Sequence, residues 1–158
     1  MPSFTEQIHI DAPKDQVWAT LADIGSIYKW NPGVTKSYST SDATQGEGAT
    51  RHCDLEGGSN YLDERAFDWK EGEGFKIDIY DTNMPLKRNV VHFTVEAAGD
   101  RTLVSVSLDY ELKFGPIGVL MDKLFAGRQF RKGMAEMLAG LKHHVETGEL
   151  VGDKVATG

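Results

Sequence analysis

This sequence has few cysteines and no long apolar run, and each of these absences excludes some classes of protein. Cys53 is the single cysteine, so no disulfide can form within the chain. Such cysteine usage is typical of a reducing compartment, and we expect a cytoplasmic location. No window approaches the roughly 18 consecutive apolar residues of a membrane span, so no membrane insertion is expected. The first residues have neither the basic nor the apolar region of a secretory signal peptide.

Basic residues are also outnumbered. The chain has 17 Lys and Arg against 24 Asp and Glu, which gives a net charge of −7. Nucleic-acid phosphates and anionic membranes attract basic surfaces, and the sequence contains no dense run of Lys or Arg. The charge therefore predicts neither nucleic acid nor an anionic membrane as partner. We expect a monomer or a weak homodimer.

The length and composition fit one globular domain. The chain has 158 residues, of which 40% are hydrophobic and 26% charged. These values are ordinary for a domain that buries a substantial core. We predict a single domain over residues 1–146. Residues 147–158 lack hydrophobic periodicity, so they are predicted to form a disordered C-terminal tail.

Most of the chain alternates between apolar and polar residues with a period of two, which is typical of β-strands with one buried face. Short turns join the later strands, so those strands should pair as an antiparallel meander. The predicted strands are residues 4–10, 34–40, 49–55, 61–68, 75–80, 88–97 and 102–113.

Helical spacing occurs in two places. Two short helices, residues 11–22 and 26–30, are predicted after the first strand, and the Asn31–Gly33 break ends the second. From about residue 117 to residue 144 there is no proline. A helix of this length would span about 40 Å. Its apolar stripe is Leu120, Leu124, Phe130, Met134, Met137, Leu138, Leu141 and Val145.

This order of elements predicts an α+β fold in which a curved, seven-stranded antiparallel sheet wraps around one long C-terminal helix. A strongly twisted sheet curls, and one helix cannot cover all of its inner face. We therefore expect a hollow between sheet and helix, where ligand pockets tend to form. The alternative is a core that is packed throughout.

The order and spacing of several short motifs resemble a known superfamily. The motifs are Ile8–Pro13, Val17–Trp18, Trp30–Val34, Gly48–Arg51, Glu64–Arg65 and Phe67–Asp68. Together with the long C-terminal helix, they resemble the helix-grip fold of the START and Bet v 1-like (SRPBCC) superfamily over residues 4–146. The resemblance is closest to the bacterial polyketide cyclase/dehydrase and lipid-transport family and to the plant abscisic-acid receptors. The superfamily includes carriers, receptors, aromatase/cyclases and hydroxylase subunits, so the fold does not fix an activity.

Two charged residues are the main polar candidates for a site. Arg51 shares a strand face with Cys53 and Leu55. If that face points inward, the guanidinium could hold a carboxylate or an enolate-like oxygen; otherwise Arg51 is a solvated edge residue. The pattern leaves open which face of strand 61–68 points inward. Resemblance to the abscisic-acid receptors implies that Glu64 faces the pocket. A pair with Arg51 on the neighbouring strand would then keep its buried carboxylate charged. The alternative is an exposed cross-strand ion pair.

The rest of the predicted site is mostly apolar. Trp30 either stacks on a flat ligand at the pocket mouth or caps the core. Tyr110 offers a hydroxyl group. No histidine has zinc-site spacing and no phosphate-binding loop is present, so no metal and no cofactor are predicted. Catalytic residues remain unassigned. The predicted ligand-binding residues are Trp30, Arg51, Glu64, Phe75, Ile77, Phe93, Val106, Tyr110, Leu124, Phe130 and Met134.

Three functions compete at this point. The favoured one is binding of a small, largely apolar molecule, lipid-, aromatic- or polyketide-like, in the internal cavity. The alternative is a polyketide aromatase/cyclase that promotes aldol cyclisation and dehydration with Arg51, Glu64 and Tyr110. The third is an interaction protein with a macromolecular partner, for which the sequence shows no exposed apolar stripe.

Overall fold

A seven-stranded antiparallel sheet is the scaffold of the protein. The computed structural model describes residues 3–151. Strand order across the sheet is β1-β7-β6-β5-β4-β3-β2, so the first and second strands form its edges. The strands are β1 (Ser3–Ile10), β2 (Val34–Ser39), β3 (Thr50–Leu55), β4 (Tyr61–Lys70), β5 (Gly74–Thr82), β6 (Leu86–Ala98) and β7 (Arg101–Leu112).

The helices lie where the periodicity predicts them. Helix α1 (Lys14–Ala22) and a 3₁₀ helix (Ile24–Lys29) connect β1 to β2. The C-terminal helix is 33 residues long. It consists of α2 (Gly115–Met121), a π-helical turn (Asp122–Ala126) and α3 (Gly127–Thr147). The predicted α+β helix-grip fold is confirmed.

The β4 strand presents both of its faces to the core, at different points along its length. Glu64 and Ala66 are buried on the inner face. Asp68 then adopts a left-handed φ of 50°, and the register to β5 shifts between Phe67 and Lys70. Such a bulge turns the following side chain to the other face. Trp69 consequently packs on Phe75, with ring centroids 4.7 Å apart.

Aromatic side chains fill one end of the space between sheet and helices. Trp18 of α1 contacts both Trp69 and Phe75 edge-on, at centroid distances of 5.5 and 5.8 Å. Phe93 continues this group toward Trp30, 6.4 Å away. Close interdigitation of this kind leaves no space for a guest. The expectation of a packed core therefore holds for this end of the sheet, and any cavity has to lie at the other.

The first part of the C-terminal helix departs from the predicted stripe. Leu120 and Leu124 are 56% and 53% exposed, whereas Met134 and Leu138 are buried. The prediction that Leu124 faces the sheet is therefore wrong. A π turn holds an extra residue, which rotates the preceding residues by about 100° relative to an uninterrupted α-helix. The predicted stripe assumed an uninterrupted α-helix, so its residues before the π turn do not face the core.

The described chain ends on a packed residue. The backbone N–H of Val151 donates to the carbonyl oxygen of Lys29 at 3.1 Å, and its side chain is buried. Most of the predicted disordered tail, residues 152–158, lies outside the described residues. Across residues 3–151, no helix has the length and apolarity needed to cross a membrane.

Candidate functional site

An internal cavity of about 240 Å³ lies between the inner face of the sheet and α3. Strands β3 to β6 supply most of its wall, and the 3₁₀ helix and the segment before β2 close one side. Most of the wall is apolar; examples are Leu62, Ile79, Val91 and Met137. The hollow expected from the curvature of the sheet is therefore present, at the end that the aromatic side chains do not fill.

A buried ion pair forms the main polar feature of the wall. Arg51 and Glu64 are directly opposite each other on β3 and β4. Arg51 Nε donates to Glu64 Oε1 at 3.0 Å, and both side chains are almost completely buried. Arg51 Nη1 also donates to the carbonyl oxygen of Ile24, at 2.9 Å, which ties the pair to the 3₁₀ helix. In the structure both residues point inward and pair with each other. The inward direction of Glu64 agrees with the resemblance, and a role of the pair in ligand binding stays a prediction.

The surroundings shift the pKa values of Arg51 and Cys53. Burial disfavours the charged form of Arg51, but the neighbouring Glu64 carboxylate outweighs this effect, so the pKa of the guanidinium lies above its ordinary value. Burial raises the pKa of the Cys53 thiol, and Glu64 adds to the rise. Cys53 Sγ is therefore a neutral donor, 3.4 Å from Glu64 Oε1, and not a nucleophile.

Asn89 is a second polar group in the wall. Its side chain is buried, and its Oδ1 atom has no hydrogen-bond partner among residues 3–151. Buried polar atoms are nearly always paired, because an unpaired one loses its bond to water without replacement. The donor for this amide oxygen has to come from within the cavity, from an ordered water or from a bound molecule.

The cavity opens between α3 and the loops that face it. Gly33, Gln129, Gly133 and Glu136 line the cavity and are also exposed to solvent, so they mark its opening. Gly133 has no atom within 4 Å of the position of a Cβ, which leaves this part of the helix surface open.

The structure brings together five of the predicted site residues. Those that line the cavity are Arg51, Glu64, Phe93, Phe130 and Met134. The other six lie elsewhere. Leu124 is exposed at the surface, and the remaining five are buried in the packed core outside the cavity: Trp30, Phe75, Ile77, Val106 and Tyr110. Alternation identifies the inner face of a strand, but not which part of that face is hollow.

Tyr110 has a partner of its own. Its hydroxyl donates to Asp122 Oδ1, at the first residue of the π turn. Burial and this hydrogen bond both raise the pKa of the Tyr110 phenol. A Cβ at Gly127 would lie 3.4 Å from the Tyr110 hydroxyl oxygen, so this glycine permits close packing and does not border the cavity.

Asn89 is absent from the predicted site, although the sequence carries a signal for it. Residue 89 has the same parity as Phe93, which is a predicted ligand-binding residue on the same strand. Continuing the alternation to residue 89 puts an amide into the wall. Leu62, Met84 and Leu86 are absent from the prediction as well, because turns and bulges decide how far the lined part of each strand extends.

Comparison with known families matches residues 1–146 to the family described as polyketide cyclase / dehydrase and lipid transport. The protein belongs to this family. A comparison with curated proteins finds no match to the chain. The expectation from the short motifs is thus confirmed at the level of the family and of the START/Bet v 1-like superfamily.

Solved structures show the same fold at low sequence identity. A START superfamily protein from Mycobacterium smegmatis is 19% identical, with a TM-score of 0.74 over 91% of this chain and 97% of its own. A protein from Thermus thermophilus is 18% identical, with a TM-score of 0.79 over 93% and 99%. Ara h 8.0201 is 16% identical, with a TM-score of 0.72 over 92% and 98%. At such identities the likeness concerns the fold alone.

Proposed function

We propose that this family member binds a small, largely apolar molecule in the cavity between the sheet and α3. The observation that carries the proposal is a mostly apolar cavity of about 240 Å³ whose wall holds a buried ion pair and an unpaired amide oxygen. Ligand pockets typically have about 300–1,000 Å³ and few, well-placed polar groups. The volume favours a compact aromatic or polyketide-like guest over a long-chain lipid.

The polar groups indicate how such a guest is oriented. Glu64 faces Arg51 on one side and Ile79 on the other. Asp78 is opposite Val90, so one further step of the β5–β6 register places Asn89 beside Ile79. The backbones of Arg51 and Asn89 are therefore three inter-strand spacings apart, which is about 14 Å measured across the strands of the sheet. Polar groups at both ends of the hollow suit an apolar body with a polar atom at each end.

Each end has a distinct hydrogen-bonding character. Arg51 Nη2 has no hydrogen-bond partner among the described residues, so its N–H groups are free to donate to a carbonyl or anionic oxygen. Asn89 Oδ1 accepts, so it suits a hydroxyl or N–H group of the guest. A ligand with an acceptor at one end and a donor at the other would satisfy both groups.

Two neighbouring valines of β6 provide a matched test. Val91 lines the cavity, whereas Val90 lies on the outer face of the same strand. Native mass spectrometry of the purified protein, followed by titration with anilinonaphthalene sulfonate as an aromatic, anionic probe, measures occupancy and affinity. We expect Val91→Phe to weaken probe binding at least about tenfold and Val90→Phe to leave it unchanged. Equal affinities in the two variants would refute binding in this cavity.

A separate variant tests whether Arg51 binds an oxygen of the guest. Arg51→Met is expected to weaken binding of the anionic probe and to have less effect on a neutral aromatic probe such as naphthalene. Equal losses for both probes would show that Arg51 acts only through the fold. If Arg51→Met does not fold, the two valine variants still decide the location of the site.

Polyketide aromatase/cyclase activity is the second candidate. It is favoured by the family description and by the guanidinium in the cavity wall. Glu64 would take the α-proton of a poly-β-ketone, and Arg51 would hold the resulting enolate oxygen. The enolate carbon then attacks a second carbonyl carbon, whose oxygen is protonated, and loss of water gives the cyclic enone. Tyr110 donates to Asp122 and lies outside the cavity wall, so it has no part in this step.

Product analysis separates binding from catalysis. A poly-β-ketone thioester incubated with a cyclase should lose the mass of one water, at a rate that Glu64→Gln abolishes without loss of probe binding. Formation of the product at the same rate without protein would leave binding as the function. The expected cytoplasmic location, monomeric or weakly dimeric state and absence of nucleic-acid partners or cofactors stay predictions.

A further inference from the structure

Large exposed apolar side chains are concentrated at the start of the C-terminal helix, and we call this group the 114–125 patch. It consists of seven exposed side chains, each between 42% and 70% accessible: Phe114, Ile117, Val119, Leu120, Met121, Leu124 and Phe125. Among the described residues, only Tyr38 and Tyr80 are other large apolar side chains with comparable exposure. Scattered apolar residues are normal on a protein surface, but a concentrated patch marks an interaction site. The expectation that the chain has no exposed apolar stripe does not hold for this segment.

These side chains are exposed because this part of the helix packs little against the sheet. The main strand contact of α2 is with β7, which directly precedes it in the chain. The π turn then rotates the residues before it out of the core stripe of α3. Asp122 of this turn accepts a hydrogen bond from the Tyr110 hydroxyl, which ties the exposed segment to β7.

The charge around the patch differs in sign from that of the whole chain. Lys113, Lys123 and Arg128 form none of the ion pairs found among residues 3–151, and all three lie at the surface. The single carboxylate of residues 113–128 is Asp122, which is bonded to Tyr110. This segment therefore carries a net charge of +2, from three cations and one anion, although the chain carries −7.

We propose that the 114–125 patch docks on the surface of an anionic lipid bilayer. Interfacial helices combine Phe and Leu side chains that enter the acyl boundary with Lys and Arg that reach the headgroups. In the sequence, Lys113 precedes the exposed apolar side chains, Lys123 lies among them and Arg128 follows them, and all three are exposed. Docking places the segment in the interface and does not span the bilayer. The net charge of −7 argued against such a partner, but attraction acts locally, within about 8 Å at physiological salt.

A second copy of the chain fits the patch less well. A two-fold dimer brings the same patch of each copy together, so Lys113, Lys123 and Arg128 would face their own like charges. An anionic surface instead neutralises them. Membrane docking is a function in addition to ligand binding. The position of the patch is compatible with ligand binding, because the cavity-lining residues Gln129 and Phe130 of α3 directly follow it in the chain.

Vesicle sedimentation tests the proposal on the full chain. Phosphatidylcholine vesicles are compared with vesicles of equal parts phosphatidylcholine and phosphatidylglycerol. We expect binding to the anionic vesicles only, with a loss of affinity as salt rises from about 50 to about 200 mM. The double variant Leu120→Asp/Phe125→Asp should weaken binding more than about tenfold. Lys123→Gln should weaken it about fivefold.

The control and the alternatives complete the design. The double variant Tyr38→Asp/Tyr80→Asp places the same two charges on exposed aromatic positions outside the patch, and it should bind vesicles like the unaltered protein. Absence of binding to anionic vesicles, or equal binding by the double variant, overturns the proposal. A dimer in light scattering that Leu120→Asp/Phe125→Asp dissociates would also overturn it, in favour of a second copy. Retention of probe binding in the double variant shows that the cavity is intact.

Discussion

The main chain of Trp30 lies directly against Gly140 of α3. A Cβ built at Gly140 would be 2.1 Å from the Trp30 carbonyl oxygen and 3.1 Å from Cδ of Pro32. This contact packs the C-terminal half of α3 closely onto the segment before β2, which closes one side of the cavity. The close packing beside the cavity therefore requires glycine at position 140, where a side chain would clash with Trp30.

Gly140→Ala should destabilise the protein, although alanine favours helices by about 1 kcal/mol over glycine. The added methyl group forces α3 away from Trp30, and overpacking of this kind costs about 1–3 kcal/mol. Gly133→Ala is the matched control, because its Cβ meets no atom within 4 Å, and it should stabilise by up to about 1 kcal/mol. Urea unfolding of both variants measures the difference. Equal stabilisation of the two would contradict the contact.

The Arg51–Glu64 pair should show strong coupling. Removing one partner leaves a buried charge uncompensated, so Arg51→Met and Glu64→Leu should each lower the free energy of unfolding by about 3–5 kcal/mol. The double variant has no unpaired charge and should lose much less than the sum of both. A double-mutant cycle from denaturant unfolding provides the measurement. Additive losses would mean that the two side chains act independently.

His52 on the outer face should make stability depend on pH. Its Nδ1 lies 2.6 Å from Asp63 and its Nε2 lies 2.9 Å from Asp54. Partial burial opposes the charged form, but the two carboxylates outweigh it and raise the His52 pKa above its ordinary value. Because the pKa of His52 is higher in the folded than in the unfolded state, protonation of His52 stabilises the folded protein. This stabilisation is fully present below the unfolded-state pKa of about 6.5 and disappears as pH rises through the folded-state pKa.

His52→Gln should therefore cost more stability at about pH 5.5 than at about pH 8.5. Urea unfolding at both pH values tests this, and an NMR titration of the imidazole gives the pKa directly. Asp63→Asn should lower that pKa toward its ordinary value. A loss of stability in His52→Gln that is the same at both pH values would leave only the stacking of His52 on Tyr38 and Tyr61 as its contribution.

Tyr110 and Asp122 should hold the π turn in place. Tyr110→Phe removes the hydroxyl group and leaves the Asp122 carboxylate without this donor, which should cost about 1.5–3 kcal/mol. Amide hydrogen exchange should then accelerate in residues 115–126 and stay unchanged in β3 and β4. Asp122→Asn keeps a hydrogen-bond acceptor and should have a smaller effect. Unchanged exchange in Tyr110→Phe would show that the helix start is anchored by other contacts.

Much of the architecture follows from periodicity alone. The alternation in β7 makes Val104, Val106 and Leu108 buried, because a half-buried strand exposes every second side chain. The inward pair of Arg51 and Glu64 was one of two alternatives left open by the sequence pattern, and the direction of Glu64 came from the resemblance to the abscisic-acid receptors. The cavity residues themselves were predicted only in part, since Phe75 and Val106 share the inner face without bordering the hollow.

The sequence by itself determined the strands, the helices and their order, because these depend on patterns that span a few residues. The pattern left the directions of Arg51 and Glu64 open; the family resemblance suggested that Glu64 points inward, and the structure shows the pair. Only the tertiary structure decided where the sheet is filled and where it is hollow, since aromatic packing between α1 and β5 joins residues far apart in the chain. It likewise decided which helix residues face solvent: one extra residue in the π turn rotates the stripe, and no local pattern reveals that rotation.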